Sequence, residues 1–444
     1  MINTYQSNNK SVKIQVVLKD PRTYEQEILS ALAASQNVAD APDIISLRGE
    51  DLPRFIPQLV AAPDNLYDIG VSAKKQTGKL TPQNVDDLFV PFVSKSVSFA
   101  DQSSGKGLVY GLPLAIDTLA LYRNKTLLDN AANLLKAQNK VKNNIGNEEL
   151  NSIKKKITTA PKTWTDLAEI VPYITIKTGD TISQPAIALG TSTNIERSYD
   201  IVQTLMMQNG VQMTSSDENT ATFNQSQSAA ISGQNLGEKA LQFYLRFANP
   251  NDRLYTWNDS QSNDVTAFEK GQVAMMIQYA NAYRFIIDEA PNIKKSIDVS
   301  PLPQIVDPSS PTDTANVKTM GRMWVESATA SRGDKARQAA AWNFIASITS
   351  KQGSKTYLSA MKLPSALKEG QDKGKFTAFN SQKTIADTWY KGHEAEQIDE
   401  GFISAIDSAH NGTKSAQTAL NEAADLATTI LQASRAKWLI TQNQ

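Results

Sequence analysis

The sequence contains no cysteine and only two histidines, His393 and His410, among its 444 residues. The absence of cysteine excludes disulfides, thiolate catalysis and cysteine-zinc sites, and two histidines argue against a histidine-rich metal site. The sequence shows no apolar run of membrane-spanning length and no signal peptide. A Gly-x-Ser-x-Gly elbow, a P-loop and a dinucleotide-binding glycine motif are also absent. These absences argue against the common hydrolase, nucleotide-binding and metal-binding classes.

The chain also has no net charge, because 45 basic residues balance 45 acidic ones. This balance argues against nucleic acid or an anionic membrane surface as a partner. The content of 40% hydrophobic and 20% charged residues is typical of soluble globular proteins. A chain of 444 residues is too long for a single core and favours two lobes.

The segment VYGLPLAIDTLALYRNK, residues 109–125, reads as a strand that is interrupted in its middle. Gly111 and Pro113 break an extended stretch, which resumes as an apolar strand over Thr118–Tyr122. A glycine and a proline inside a strand indicate a chain that leaves one sheet and enters another. Asp117 follows the bend, so the sequence predicts a polar group where two lobes meet.

This segment resembles the crossing strand of bacterial extracellular solute-binding proteins of family 1, the carbohydrate-type receptors of ABC importers. Further segments resemble the same family in the same order: PKTWTDL (161–167), FEKGQVAMMI (268–277), PLP (301–303), the helix within 326–350, and LPS (363–365). The resemblance therefore covers most of the chain. It implies an α/β protein of the two-lobed periplasmic-binding-protein type (type II), like the maltose-binding proteins. It also implies a ligand cleft between the lobes, a helical C-terminal tail, no catalysis and no cofactor.

The same resemblance divides the chain into lobes and identifies an insertion. Lobe one is predicted to contain residues 1–115 and 304–364, and lobe two residues 116–303 and 365–444. Residues 127–157, rich in Asn, Lys, Leu and Ala, resemble an inserted helical hairpin, because the usual link of the family is much shorter here. Its lysine run is interpreted as a solvated face, and its role stays open.

The start of the sequence reads as the end of a helix, followed by a strand over Val12–Leu18 with alternating side chains. Members of the family normally have another strand before that helix, preceded by a signal peptide that often carries a lipidated cysteine. We therefore expect an extracellular or periplasmic protein whose true N-terminus, with its lipid anchor and the first strand of lobe one, is missing from this sequence. The alternative is a cytosolic protein with a short start.

Sugar binding requires flat aromatic surfaces and planar hydrogen-bonding groups, which directs attention to the ends of predicted strands. The strand that starts at Pro42–Ile45 leads into a polar loop, so Arg48 and Glu50 are predicted to face the cleft. The alternative is that Asp51 caps the next helix and that Arg48 is solvated. Asp117 is predicted either to bind a ligand hydroxyl, as the resemblance implies, or to hold backbone N–H groups at the bend.

Three aromatic residues are candidates for stacking on a ligand. Trp324 and Trp389 lie at the edges of elements, and the strand over residues 272–278 delivers Tyr279 and Asn281 to its carboxyl end. The family commonly places an aromatic ligand contact there, but Tyr-Ala-Asn replaces its usual Gly-x-Trp pattern, which leaves the identity of the contact open. The other tryptophans are assigned to the core, to the surface or, for Trp257, to the cleft as a weaker candidate: Trp164, Trp257, Trp342 and Trp438.

The sequence thus predicts the substrate-binding receptor of an ABC importer, which captures a sugar or an oligosaccharide between its lobes and delivers it to a membrane permease. Its predicted partners are a small solute and the permease subunits, without nucleic acid, and the receptor is expected to be a monomer. A receptor of the same fold for a peptide, a polyol or a glycerol phosphate is the first alternative. A surface glycan-processing enzyme is the second, because the sequence does not exclude a catalytic pair of carboxylates.

Overall fold

The computed structural model describes most of the chain, with short gaps. The described residues are 1–20, 23–33, 41–63, 80–101, 104–142, 146–226, 235–309, 316–330, 333–369 and 377–441.

Helices and short strands alternate along the chain, as predicted for an α/β protein. The strands are β1 (Ile44–Arg48), β2 (Ser98–Ala100), β3 (Gly107–Val109), β4 (Leu112–Pro113), β5 (Asp117–Asn124), β6 (Ile176–Thr178), β7 (Thr181–Gln184), β8 (Met275–Tyr279), β9 (Ile297–Pro301), β10 (Thr319–Arg322), β11 (Trp324–Ala328) and β12 (Ala386–Asp387). The first helices are α1 (Ile2–Asn8), α2 (Tyr24–Ala33), α3 (Leu52–Phe55), α4 (Pro82–Leu88), α5 (Pro91–Val97), α6 (Lys125–Lys142), α7 (Asn147–Thr158) and α8 (Trp164–Ile174). They are followed by α9 (Ser198–Gln208), α10 (Leu236–Leu245), α11 (Asp264–Glu269), α12 (Ala280–Glu289), α13 (Lys335–Thr349), α14 (Lys351–Met361), α15 (Thr377–Gln382), α16 (Ala395–His410) and α17 (Ala416–Thr441).

The chain divides into two compact units. Unit 1 contains Met1–Asp117, Gly321–Gly374 and Ala436–Gln444, and unit 2 contains Thr118–Met320 and Lys375–Arg435. The lobe boundaries at 115, 303 and 364 stay predictions.

The sheet of unit 1 has the order β1-β11-β4, with both neighbouring pairs antiparallel. Side chains alternate along β1 and β11, so one face is buried and the other is polar. Ile45 and Leu47 on β1 and Val325 on β11 lie on the buried face. An added Cβ at Gly111 would lie only 2.3 Å from Cγ1 of Val325, so the chain before β4 approaches β11 more closely than a side chain allows.

The sheet of unit 2 has the order β12-β10-β5-β8, and β9 also pairs with β5. β5 is apolar and almost completely buried, as the sequence predicts, and it runs antiparallel to β8 and β9. The extended segment at Ile187 joins this region by a parallel bridge to Met275. α16 and α17 confirm the predicted helical C-terminal tail.

The insertion forms a helical hairpin, α6 and α7, which confirms that prediction. The Asn124 side chain accepts a hydrogen bond from the N–H of Leu127 (3.3 Å), so Asn124 caps α6. Leu128 on α6 and Leu150 and Ile157 on α7 are buried, so the hairpin has a true apolar face.

The predicted strand over Val12–Leu18 is wrong, although α1 confirms the helix before it. Val12 and Ile14 pack against a small core cluster that includes Phe344, while the last three residues of the segment are exposed. A strand requires a neighbour whose backbone groups complete its hydrogen bonds. Among the described strands, none pairs with this segment. The segment Val12–Leu18 therefore has the alternating side chains of a strand but lacks a partner among the described strands.

Candidate functional site

The polar face of β1 and β11 gathers residues that are far apart in the sequence. Arg48 lies directly opposite Trp324, and Ser46 lies directly opposite Glu326. Because residues two apart on a strand share a face, all four lie on the face opposite the buried one. We refer to these four residues as the Trp324 face. Two of the predicted site residues, Arg48 and Trp324, are thus brought together.

Trp324 exposes an aromatic ring on unit 1. It is 51% exposed and meets the ring of Tyr24 edge to face, at 6.5 Å between centroids. The Tyr24 hydroxyl accepts a hydrogen bond from the N–H of Ser46 (3.2 Å), which holds the phenol against β1. Burial raises the pKa of Tyr24 to about 12, so the phenol stays neutral. Such an exposed, flat and supported ring is suited to stack on the apolar face of a sugar.

Carboxylate and hydroxyl groups lie beside this ring. Ser46 Oγ donates to Glu326 Oε2 at 2.6 Å. Burial raises the pKa of Glu326, whereas the hydrogen bond from Ser46 opposes the shift. An acceptor of this kind next to an aromatic ring supplies the second element of sugar recognition, a planar group for hydroxyls.

The Arg48 guanidinium is held by neighbours on its own loop. Arg48 Nε donates to Asp51 Oδ2 (2.5 Å) and Nη2 donates to Asp51 Oδ1 (3.1 Å), while Glu50 lies 3.7 Å from Nη1. Burial raises the pKa of Asp51 to about 6, although the charge of Arg48 opposes the shift. Asp51 occupies the N-cap position of α3 without a side-chain capping bond. Neither expectation for this loop foresaw the two-bond pair between Arg48 and Asp51.

In unit 2, a second polar cluster forms around Arg197, just before α9. Arg197 Nε donates to Gln278 Oε1 (3.0 Å), and Gln278 Nε2 donates to Glu196 Oε2 (3.2 Å). The guanidinium carbon of Arg197 lies 5.5 Å from the centroid of the Tyr279 ring. We refer to Glu196, Arg197, Gln278 and Tyr279 as the Arg197 cluster. Tyr279 is only 1% exposed, so the more accessible group at this place is the guanidinium.

The buried carboxyl of Asp264 holds the backbone of the Arg197 cluster. Asp264 is fully buried, and its Oδ1 accepts a hydrogen bond from the N–H of Glu196 (3.3 Å). Burial raises the pKa of Asp264 to about 7. Glu196, Arg197 and Asp264 are absent from the sequence-based candidates. Glu196 and Arg197 follow the extended segment at Ala186–Gly190, so the rule that ligand-facing residues follow strand ends would have found these two.

Trp389 lies in a different part of unit 2 and is held on several sides. Its Nε1 donates to Gln203 Oε1 (2.9 Å), and Gln203 Nε2 donates to Asp399 Oδ1 (2.9 Å). Lys391 Nζ donates to the same carboxylate oxygen (2.5 Å) and lies 5.7 Å from the indole centroid. We refer to Gln203, Trp389, Lys391 and Asp399 as the Trp389 cluster. Trp389 itself is half-buried.

The remaining candidates lie at the ends of elements. Asp117 is partly buried at the start of β5, and its charge contributes, after burial and Glu326, to the raised pKa of Tyr357. Asn281 is exposed in the first turn of α12, immediately after the strand that ends at Tyr279.

The other tryptophans belong to the interior or lie outside the described side chains. Trp164 and Trp342 are buried, which confirms their assignment to the core. Trp257 is also fully buried and donates to Asn194 Oδ1 (2.8 Å), so it serves the interior of unit 2 rather than an accessible surface. The side chain of Trp438 lies outside the described part of the chain.

The described residues contain no group of three or more histidine and acidic side chains placed to hold a metal ion. None of their helices is long and apolar enough to cross a membrane.

The sequence matches the profile of a family described as bacterial extracellular solute-binding protein over residues 1–383. A comparison with curated proteins found no match.

Several solved structures resemble this one over almost its whole length. The sugar-binding protein MalE of Xanthomonas citri is 17% identical with a TM-score of 0.70, and the match covers 99% of this chain and 95% of that one. UgpB of Mycobacterium tuberculosis, in complex with glycerophosphocholine, is 15% identical with a TM-score of 0.67, covering 97% and 94%. An ABC transporter solute-binding protein of Thermotoga lettingae, bound to α-D-tagatose, is 16% identical with a TM-score of 0.63, covering 97% and 94%. Likeness at these identities shows the fold alone, and it confirms the predicted fold class.

Proposed function

The chain belongs to the family of bacterial extracellular solute-binding proteins, and from this premise we propose that it is the receptor of an ABC importer for a sugar or an oligosaccharide. The observation that supports a sugar best is the Trp324 face. It combines a half-exposed indole with a hydroxyl and a carboxylate on one supported strand pair. Sugars require this combination because they have apolar faces and polar rims.

Each unit carries candidate ligand contacts of its own. Unit 1 contributes Trp324 and Glu326, with Arg48, Glu50 and Asp117 as further candidates. Unit 2 contributes Arg197 and Asn281, with Tyr279 below the guanidinium and Trp389 as a second aromatic candidate. The receptor then delivers its solute to the permease subunits, outside the cytoplasm and without a reaction of its own. Anchoring by lipid and action as a monomer belong to the same proposal.

A second candidate ligand class is a phosphate-containing solute such as a glycerophosphodiester. Arg197 favours this class, because a guanidinium binds phosphate oxygens by paired, charge-assisted hydrogen bonds. The likeness to the glycerophosphocholine complex is consistent with it. Glu196 is close to the guanidinium and repels an anion, which makes a neutral solute the first choice.

A thermal-shift screen tests this proposal directly. The panel contains monosaccharides, oligosaccharides, polyols, peptides and glycerophosphodiesters. A true ligand present at a hundredfold excess over its Kd stabilises the folded protein by about 3 kcal/mol, which raises the melting temperature clearly. A shift with sugars alone supports the first choice, and a shift with phosphodiesters alone supports the second.

The screen also separates a receptor from an enzyme. Every glycan that raises the melting temperature is incubated with the protein and analysed by chromatography. A receptor leaves the glycan intact at all times, whereas cleavage would contradict the proposal. If no member of the panel changes the melting temperature, the assignment to these solute classes is wrong.

A further inference from the structure

The base of the hairpin α6–α7 brings three segments of unit 2 together. The N–H of Lys125 donates to the carbonyl of Ser296 (2.8 Å), and the hydroxyls of Thr126 and Ser296 lie 2.7 Å apart. Arg123 Nη2 donates to the carbonyl of Thr158 (2.8 Å) at the end of α7. The start of α6, the end of α7 and the turn before β9 therefore form one surface.

This surface carries a set of exposed lysines, which we call the basic patch. Its members are Lys125, Lys155, Lys156, Lys270, Lys294 and Lys295. Lys294 and Lys295 directly precede Ser296. Lys270 belongs here because an added Cβ on its neighbour, Gly271, would lie 3.5 Å from Ile293 and 3.8 Å from Asn124.

Among the described residues, only one of these six lysines is in an ion pair. Lys156 forms an ion pair with Glu169 (2.5 Å), and Asp298 forms an ion pair with the buried Arg123 (2.8 Å). The ion pairs among the described residues include none of the other five lysines. Further acidic groups on these segments are Asp129, Glu269, Asp288 and Glu289, and Asp288 faces Arg284 at 3.9 Å. Like charges held together repel one another, so an anionic partner would stabilise the patch.

The chemistry of the patch distinguishes between kinds of anionic partner. Each exposed cation is a lysine, and the arginine at its base is buried in an ion pair. Arginine is the residue for defined, bidentate contacts, whereas lysine acts as a flexible and well-hydrated point charge. Clusters of lysine suit a surface of diffuse negative charge, such as anionic lipid headgroups. The zero net charge of the chain argues against attraction by overall charge, but it does not exclude a local patch, because the lysines here are clustered.

We propose that the basic patch docks unit 2 against an anionic lipid surface. This inference does not depend on which solute the protein binds. It rests on the three-segment surface, on its unpaired lysines and on the membership of a family of extracellular receptors that serve membrane permeases. Docking would keep a receptor close to its permease.

The test uses the full chain without any lipid attached and vesicles that contain no protein. Flotation is measured with vesicles of phosphatidylcholine and with vesicles of equal parts phosphatidylcholine and phosphatidylglycerol. We expect binding to the anionic vesicles only, and its loss when salt is raised, because exposed charges are screened. No binding to anionic vesicles at low salt would overturn the proposal and would favour an acidic protein surface as the partner.

A pair of matched variants locates the binding surface. The first carries Lys125→Glu, Lys155→Glu and Lys295→Glu, and the second carries Lys335→Glu, Lys355→Glu and Lys368→Glu. All six lysines are exposed and make no ion pair among the described residues, and both variants change the net charge equally. One lysine near an anionic surface contributes about fivefold in partitioning, so the first variant should lose about a hundredfold. The second should bind like the parent.

Folding and solute binding provide the remaining controls. Both variants should keep the melting temperature of the parent and its shift with the solute found in the screen, since neither set touches the candidate site. An equal loss of vesicle binding in both variants would overturn the proposal, because binding would then follow net charge and not the basic patch.

Discussion

The Trp324 face and the Arg197 cluster place an aromatic ring in opposite situations. Trp324 is 51% exposed on a strand, whereas Tyr279 is 1% exposed beneath a guanidinium. On a two-stranded face, a side chain points directly away from the core and stays accessible. Tyr279 ends its strand and is the N-cap of α12, where Arg197 covers its ring. The comparison indicates that unit 1 offers an apolar platform and that the Arg197 cluster offers planar polar groups.

Unit 2 has a half-buried aromatic candidate of its own, Trp389, which is held in place differently. Tyr24 and the hydrogen bond from Ser46 support Trp324 by neutral contacts. A buried ion pair between Lys391 and Asp399 supports Trp389 through Gln203. A buried ion pair is strongly coupled, because removal of one partner leaves an unpaired charge in the interior.

The largest effect is therefore expected from Asp399→Ala. The change removes the Asp399 carboxylate from the buried Lys391 ammonium, which should lower the stability of unit 2 by about 3–5 kcal/mol in urea unfolding. The double variant Lys391→Met with Asp399→Leu removes both charges and should recover most of this loss. If the single variant is as stable as the parent, the ion pair does not hold the Trp389 cluster together.

The two units also differ in how strongly a buried carboxyl makes stability depend on pH, through Asp264 in unit 2 and Asp51 in unit 1. Each has a folded-state pKa above its unfolded value of about 4, so each lowers stability as pH rises from about 4 to its folded pKa. Asp264→Asn should remove a loss of stability of about 4 kcal/mol between pH 4 and pH 8, since the folded pKa of Asp264 is about 7 and a difference of one pKa unit is worth about 1.4 kcal/mol. Asp51→Asn should remove less, because the folded pKa of Asp51 is about 6 and the change also breaks its bonds to Arg48. Unfolding of each variant at pH 4, 6 and 8 measures both effects, and an unchanged pH profile in Asp264→Asn would contradict the prediction.

Trp324→Ala tests the platform itself. If the ring stacks on the ligand, its removal should cost about 2 kcal/mol of binding free energy, the scale of an aromatic hot spot. Trp342→Ala is the control, because this buried ring should cost about 3 kcal/mol or more of stability and leave the affinity of the folded protein unchanged. Calorimetric titration and melting curves measure both. Parent-like affinity in Trp324→Ala would remove Trp324 from the site.

The smallest effect is expected at Arg197. Arg197→Met keeps the apolar stem and removes the hydrogen bonds, which should cost about 1 kcal/mol for a neutral sugar. A phosphate-containing solute should lose roughly twice as much, because its hydrogen bonds are charge-assisted. Titration with the solute from the screen at two salt concentrations separates these cases, since only the charged interaction weakens markedly with salt. An affinity that does not change would place Arg197 outside the site.

Local chemistry predicted the elements that carry the site. The interrupted strand around Gly111 follows from residue type and spacing, the helical insertion follows from the resemblance, and both are present. The sequence predicts Arg48 as a ligand contact because it follows a strand, and Trp324 because it lies at the edge of an element. The antiparallel pairing of β1 with β11 then places Arg48 directly opposite Trp324.

The parts that were missed depend on contacts between distant segments. Nothing near Tyr279 in the sequence indicates that Arg197 covers it, because the contact forms only after α9 and β8 have packed. In the same way, alternation over Val12–Leu18 did not reveal that no described strand would pair with it. Local patterns fix which face is apolar, whereas burial of a particular polar group depends on its partner.

The close approach at Gly111 has a consequence for how this protein evolves. β11 carries Val325 and Ser327 on the face that meets Gly111, where an added Cβ would lie 2.3 Å and 2.6 Å from their side chains. Substitution there would push the strand itself, so in a mutational scan Gly111 should tolerate almost nothing. Trp324 and Glu326, on the other face of the same strand, are free of that constraint. One strand therefore combines a face whose close packing resists substitution with a face on which side chains can change without disturbing that packing.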